Sequence, residues 1–194
     1  MSGDYFFGRA NDVMLMKELK VSDKTKEIIS RLDRSFKRQL ERYDHSDHKE
    51  CTAFQKVHGM EGWEIFFMLE EDNYEDCLSK LSPDDVVFDV GAGDMRFDLM
   101  VAGMCKKVYA VEINPGLVSS ALRIIGWDMP ANLTVICGNA FEMELPGDVT
   151  VVTCLMIHRQ HEFPEQWKRC RIIYAMHDGI KECRSGTGKG EVEL

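Results

Sequence analysis

The chain has 194 residues, 29% of them charged and 44% hydrophobic, with a formal charge of −9. That length suits one domain, or one domain with an added segment, and the composition excludes a disordered or fibrous protein. Its longest apolar runs, such as residues 149–157, fall far short of the ~20 residues a membrane span needs. Asp4, Arg9 and Asp12 interrupt any apolar core of a leading signal, so no membrane partner is expected. An acidic chain is a poor general phosphate binder, which argues against nucleic acid as the main partner. Seven cysteines without a spaced framework fit a reducing cytoplasm. The charge is uneven: residues 1–45 carry a net +2 and the remainder −11.

Between residues 23 and 43, Ile28, Ile29, Leu32, Phe36, Leu40 and Tyr43 recur at helical spacing, with Ser22 as the expected N-cap. Lys26, Arg34, Lys37 and Arg38 fill the opposite face as a solvated surface. Residues 43–62 read as a loop. Within it His45, His48 and Cys51 have a spacing that zinc ligands use, but no Cys-x-x-Cys pair supports them and no metal is expected. A second helix is predicted over 63–81, with Trp63, Phe66, Phe67, Leu69, Cys77 and Leu78 buried, ended by Ser82-Pro83.

From Asp84 the texture changes to short β-rich runs alternating with helical ones. Strands are predicted at 86–90, 107–113, 133–137, 149–157 and 171–176, and helices at 97–105, 115–126 and 164–170. That alternation calls for a parallel sheet with helices on both faces. The Gly-rich stretch 185–190 reads as a flexible tail, and His177 and Asp178 take no assigned role.

The strongest signal is Val-Phe-Asp-Val-Gly-Ala-Gly-Asp-Met-Arg at 87–96. A glycine turn leaving a buried strand lets backbone approach a ligand, and parallel sheets bind ligands at the carboxyl ends of their strands. Glu112 closes the next strand, where a carboxylate can accept from both ribose hydroxyls. The dinucleotide fingerprint G-x-G-x-x-G would need glycine at 96, where this chain has Arg96.

These residues resemble the class I S-adenosylmethionine-dependent methyltransferases, whose first motif runs D-x-G-x-G-x-G: Asp89, Gly91 and Gly93 match, and Met95 replaces the third glycine. Glu112 matches that family's ribose-binding acid, and Gly138-Asn139-Ala140 its Gly-Asp-Ala adenine step, with Asn for Asp. The run from Asp148 through Ile157 matches the fourth strand and its exit. The local wording of 91–96, 111–114, 138–142 and 149–153 is also similar to small archaeal-type protein lysine methyltransferases.

The resemblance implies an α/β, Rossmann-like sheet over 83–194, C-terminally shortened, with 1–82 as an N-terminal helical extension or cap. The family adds a sixth and a seventh strand. Residues 180–194 leave room for one edge strand at 191–194, or for a partner subunit completing the sheet. The implied cofactor is S-adenosylmethionine, wrapped by Gly91 and Gly93, with Asp89 orienting the loop. Glu112 would hold the ribose, and Ile113, Asn139 and Ala140 the adenine. Thr153, Cys154, Met156, His158 and His161 lie toward the acceptor. His158 is the candidate polar group beside the methyl, and Cys154 reads as a buried strand thiol. The acceptor is a protein, a small molecule or RNA. The alternative is a catalytically silent binding protein of the same fold.

Overall fold

The computed structural model describes residues 22–41, 71–155, 163–176 and 179–184. Helix α1 spans Asp23–Glu41 and α2 Glu71–Ser79. Then follow β1 (Val86–Val90), α3 (Arg96–Ala102), β2 (Lys107–Glu112), α4 (Pro115–Ile125), β3 (Leu133–Cys137) and β4 (Val151–Cys154). A 3-10 turn at Glu165–Arg169, β5 (Arg171–Met176) and β6 (Gly179–Arg184) complete the order. Among the described residues no helix is long and apolar enough to cross a membrane, and no group of His, Cys, Asp and Glu is placed to hold a metal. The His45, His48 and Cys51 cluster lies outside them.

The strands form one sheet in the order β3-β2-β1-β4-β5-β6. The first five are parallel and β6 runs antiparallel beside β5, Met176 opposite Gly179 and Arg171 opposite Arg184. This is the Rossmann-like α/β arrangement the sequence implies, with the crossover switch between β1 and β4. Two details differ. The strand after β5 is residues 179–184; residues 191–194, expected to supply it, lie outside the described residues. The helix expected at 164–170 is a 3-10 turn, closed by Trp167 N–H to Pro164 O (2.8 Å) and Cys170 N–H to Trp167 O (2.9 Å).

Alternation along β1 sorts the core into two layers. Val87 faces α1–α4, with Ile28, Leu32, Leu78, Leu99 and Ile125. Val86, Phe88 and Val90 face the other way, where Trp167 is fully buried against Phe88 and Phe141. All described α-helices therefore lie on one face, where the alternation of elements predicts helices on both. The second is closed by the 3-10 turn and the 138–149 connection, stitched by Gln166 to Leu145 N–H and Met143 O, both at 2.7 Å.

Helix α1 starts where Ser22 Oγ accepts the Thr25 amide (3.1 Å). Its Ile28, Ile29 and Leu32 are buried, while the Phe36 and Leu40 side chains are not among those described. Arg31 and Lys24 both reach Asp128, at 2.6 and 3.3 Å. Asp128 follows α4, one helix length from that helix's Asn114 cap. This stretch of α1 thus docks at the end of the sheet away from the glycine turn.

At that same end Asp85 accepts from the Ser82 amide (2.7 Å), Thr150 Oγ1 (3.1 Å) and Arg171 (2.6 Å), while Arg171 also donates to Lys80 O (3.0 Å). This network clamps β1, β4, β5 and the end of α2. Asp85→Ala removes the closest anionic partner of a partly buried guanidinium and an acceptor of two further donors, and is expected to lower the unfolding free energy by about 3 kcal/mol. Urea denaturation checks it: a loss below about 1 kcal/mol would mean the clamp is not structural.

Candidate functional site at the carboxyl ends of the central strands

β1 ends in Asp89-Val90 and turns through Gly91 (φ 81°) and Gly93 (φ 57°), a backbone region that L side chains avoid. Met95 shares it at φ 68°, the one non-glycine to do so among the described residues, and is fully buried. The third-glycine position therefore keeps a glycine-like backbone while its side chain fills the core beneath α3. The strain amounts to about 1–2 kcal/mol, against about 2–5 kcal/mol from burying a side chain of that size. Burial wins, so Met95→Gly is expected to destabilise the fold by about 1–3 kcal/mol. A rise in the thermal midpoint would refute that balance.

Glu112 ends β2, only 7% exposed. Its Oε2 accepts the Gly93 amide and its Oε1 the Asn114 amide, both at 2.8 Å. Its backbone carbonyl accepts Gly138 N–H (3.0 Å), and Val111 O accepts Gly91 (2.8 Å) and Ala92 (3.0 Å). Glu112 thus ties down the glycine turn and keeps about two free lone-pair sites on its carboxylate. Ile113 beside it is half exposed. Asn139 Oδ1 accepts the Phe141 amide (3.1 Å), which fixes the side chain and leaves one acceptor site, and Ala140 is buried next to it.

Asp89 points instead to the helical face. Thr153, its register partner on β4, donates to its Oδ1. Burial pushes the Asp89 carboxyl up to about 7, the Thr153 bond opposing and the Glu112 charge reinforcing it. Asp94 pairs with Arg96 inside the turn, both buried. Asp98, on α3, is fully buried, and neither of its oxygens has a hydrogen-bond partner among the described residues. Burial, then the Asp89 charge, hold it well above the carboxylate range. From α2, Tyr74 stacks on Phe97 (5.4 Å between centroids), and its hydroxyl is pushed up by burial. Cys154 is fully buried, as expected of a strand thiol. Met156, His158 and His161 lie outside the described residues.

Sequence reasoning missed Asp98 and Tyr74. The apolar neighbours of Asp98 in Phe-Asp-Leu-Met-Val-Ala were the available signal, since a carboxyl in so apolar a helix has no exposed face to occupy.

No family model matches the chain. It is 33% identical over 88 residues to a protein-lysine N-methyltransferase of Saccharolobus islandicus, covering 44% of this chain and 54% of that one. It is 36% identical over 79 residues to a "Probable ribosomal RNA small subunit methyltransferase A" of Methanosarcina mazei, covering 41% and 28%. The chain resembles the class I methyltransferases. It spans about half of the first relative's length and less of the second's. Among solved structures, a dimethyladenosine transferase from Plasmodium falciparum matches 57% of this chain and 43% of its own, at 17% identity and a TM-score of 0.47. A SAM-dependent methyltransferase from Aquifex aeolicus matches 53% and 62%, at 21% identity and a TM-score of 0.43.

The raised Asp89 value has a sign. An acid whose folded value (about 7) exceeds its ordinary 3.8 stabilises the fold fully below that ordinary value, and loses the contribution as pH rises through 7. The unfolding free energy is expected to fall between about pH 5 and pH 8, and Asp89→Asn to flatten the fall. Denaturation at both pH values checks it; an unchanged slope in the variant would place the titration elsewhere.

Proposed function

We propose that this chain is an S-adenosylmethionine-dependent methyltransferase, with 83–194 as the cofactor-binding α/β domain and 1–82 as its helical extension. The observation that carries the reading is the turn after β1, glycine at two positive-φ positions, tied by its Gly93 amide to the acid that ends β2. The residues fit the cofactor chemically. Glu112 offers free carboxylate acceptors to ribose hydroxyls, Gly91 and Gly93 add no side chain to the turn, and Asp98 presents two unbonded oxygens below it. Ile113 supplies an apolar face and Asn139 an acceptor for the adenine amine.

S-adenosylmethionine, when bound, supplies a methyl on a positively charged sulfur. The protein's own contribution is then chiefly alignment and exclusion of water. Glu112 and the glycine turn hold the donor side. The acceptor side belongs to the exit of β4, where His158 is the residue assigned to accept a proton from an amine nucleophile. Protein lysine is the favoured acceptor, on the −11 carried beyond residue 45 and on the likeness to the Saccharolobus protein. RNA and a small molecule are the other outcomes of the test.

Titration calorimetry with S-adenosylmethionine, S-adenosylhomocysteine and NAD decides the first question. Binding of the first two and not the third is expected, and no binding of either would remove the reading. Glu112→Ala is expected to weaken S-adenosylmethionine by about 1.5–3 kcal/mol; unchanged affinity would move the ribose elsewhere. Labelled methyl transfer to fractionated protein, RNA and metabolites then identifies the acceptor, and His158→Ala is expected to slow transfer about 100-fold with cofactor affinity intact. Binding without transfer to any fraction would favour the silent alternative.

A further inference from the structure

Four carboxyls converge below the glycine turn, and three are satisfied. Glu112 accepts two amides, Asp94 pairs with Arg96, and Asp89 accepts from Thr153. Asp98 has no partner among the described residues and no solvent. Among the described residues, several titratable and charged groups surround Asp98 and the neighbouring Asp89, none of them from α1, which also packs on α3. They are Asp94 and Arg96 of the turn, Glu112 of β2, Tyr74 and Cys77 of α2, and Cys154 of β4. Arg96 is the one cation among them, and it is paired with Asp94. A buried carboxylate with neither counter-ion nor donor costs several kcal/mol, so Asp98 keeps a proton, a form the nearby Asp89 charge also favours.

Packing alone would be served as well by asparagine or leucine at position 98. A carboxyl differs from both in answering to charge. A cation entering the turn above makes the ionised form affordable, and the proton then has no reason to stay. S-adenosylmethionine carries one net positive charge, on sulfur, that its thioether product lacks. We propose that Asp98, buried without a hydrogen-bond partner among the described residues, is a specificity residue by which the site favours the cationic cofactor over its neutral product, releasing its proton to solvent when the sulfonium arrives and recovering it from solvent when the product is left. The inference rests on the methyltransferase reading. Charge is conserved at each stage: one proton leaves Asp98 as one cation enters, and one returns after that positive charge has gone.

Titration calorimetry of the full chain in phosphate and in Tris, whose ionisation enthalpies differ, counts the protons. At about pH 6, below the titration of the ligands' own amino groups, S-adenosylmethionine is expected to release about half a proton or more, and S-adenosylhomocysteine close to none. The affinity ratio of the two is expected to rise about tenfold from pH 6 to pH 8. In Asp98→Asn, of near-identical shape, the release is expected to vanish and the ratio to stop depending on pH. Equal proton release for both ligands in the wild-type protein would overturn the proposal, even if the variant failed to fold. So would undiminished release in a folded Asp98→Asn. If neither ligand binds, the methyltransferase reading itself fails and takes this inference with it. If both bind without a proton difference, only this inference fails.

Discussion

The carboxylate of Glu112, with the carbonyl behind it, holds together the three loops that leave β1, β2 and β3. Its two oxygens take the Gly93 and Asn114 amides, and its backbone oxygen takes the Gly138 amide. A glycine turn is the most flexible element of such a sheet, because its residues lose the most conformational freedom on folding. Charge-assisted bonds to a buried carboxylate restrict it without filling it. Asn114 extends the arrangement by capping α4 through Gly116 (2.9 Å) and Leu117 (3.1 Å), so the helix and the turn share one anchor. The proposed ribose acid is thus the same side chain that positions the loop, with other lone pairs left free.

The two ends of the sheet treat buried charge in opposite ways. At the amino ends of the strands Asp85 meets an arginine, a hydroxyl and an amide, and α1 docks through Arg31 and Lys24 on Asp128. Every carboxylate named there has a donor. At the carboxyl ends Asp89 and Asp98 lie together in a place where neither is fully stabilised as an anion. Low dielectric makes a complete network stronger and an incomplete one more costly. The first arrangement suits stability and the second responsiveness, and the topology puts the second at the β1–β4 switch where α/β sheets bind their ligands.

Much of this was legible in the residues. The limits of β1, β3 and β5 coincide with the predicted runs, because each is an apolar stretch bounded by polar or turn residues. The order of the parallel strands, the glycine turn and the buried state of Cys154 were legible as well. β6 was not: Gly-Ile-Lys-Glu-Cys-Arg has one β-branched residue, and as an outer strand it owes its state to pairing with β5 rather than to propensity. The 3-10 turn escaped because Trp167 anchors it through packing against Phe88 and Phe141, residues distant in sequence. Asp98 escaped for a related reason. Whether an aspartate in a short helix is solvated or entombed depends on what packs around that helix, and here α1 packs on it and Tyr74 of α2 stacks on the adjacent Phe97.

Met95 shows how far a motif can drift while its geometry holds. Glycine at the third motif position is one way to let the chain enter α3 from a left-handed residue, since glycine has no Cβ penalty there. This chain keeps the left-handed backbone and accepts the penalty, because the side chain gains a fully buried site next to Leu99 and Val101 of the same core. Methionine is unbranched and adapts to irregular gaps, which makes it a better occupant than a β-branched residue would be at positive φ. The substitution alters the volume beneath the turn and leaves the path of the turn intact, with Gly91 and Gly93 in the same left-handed region. What a ligand would meet from above is therefore the backbone of a three-glycine loop, and the difference is confined to the interior, on the side where Asp98 is also buried.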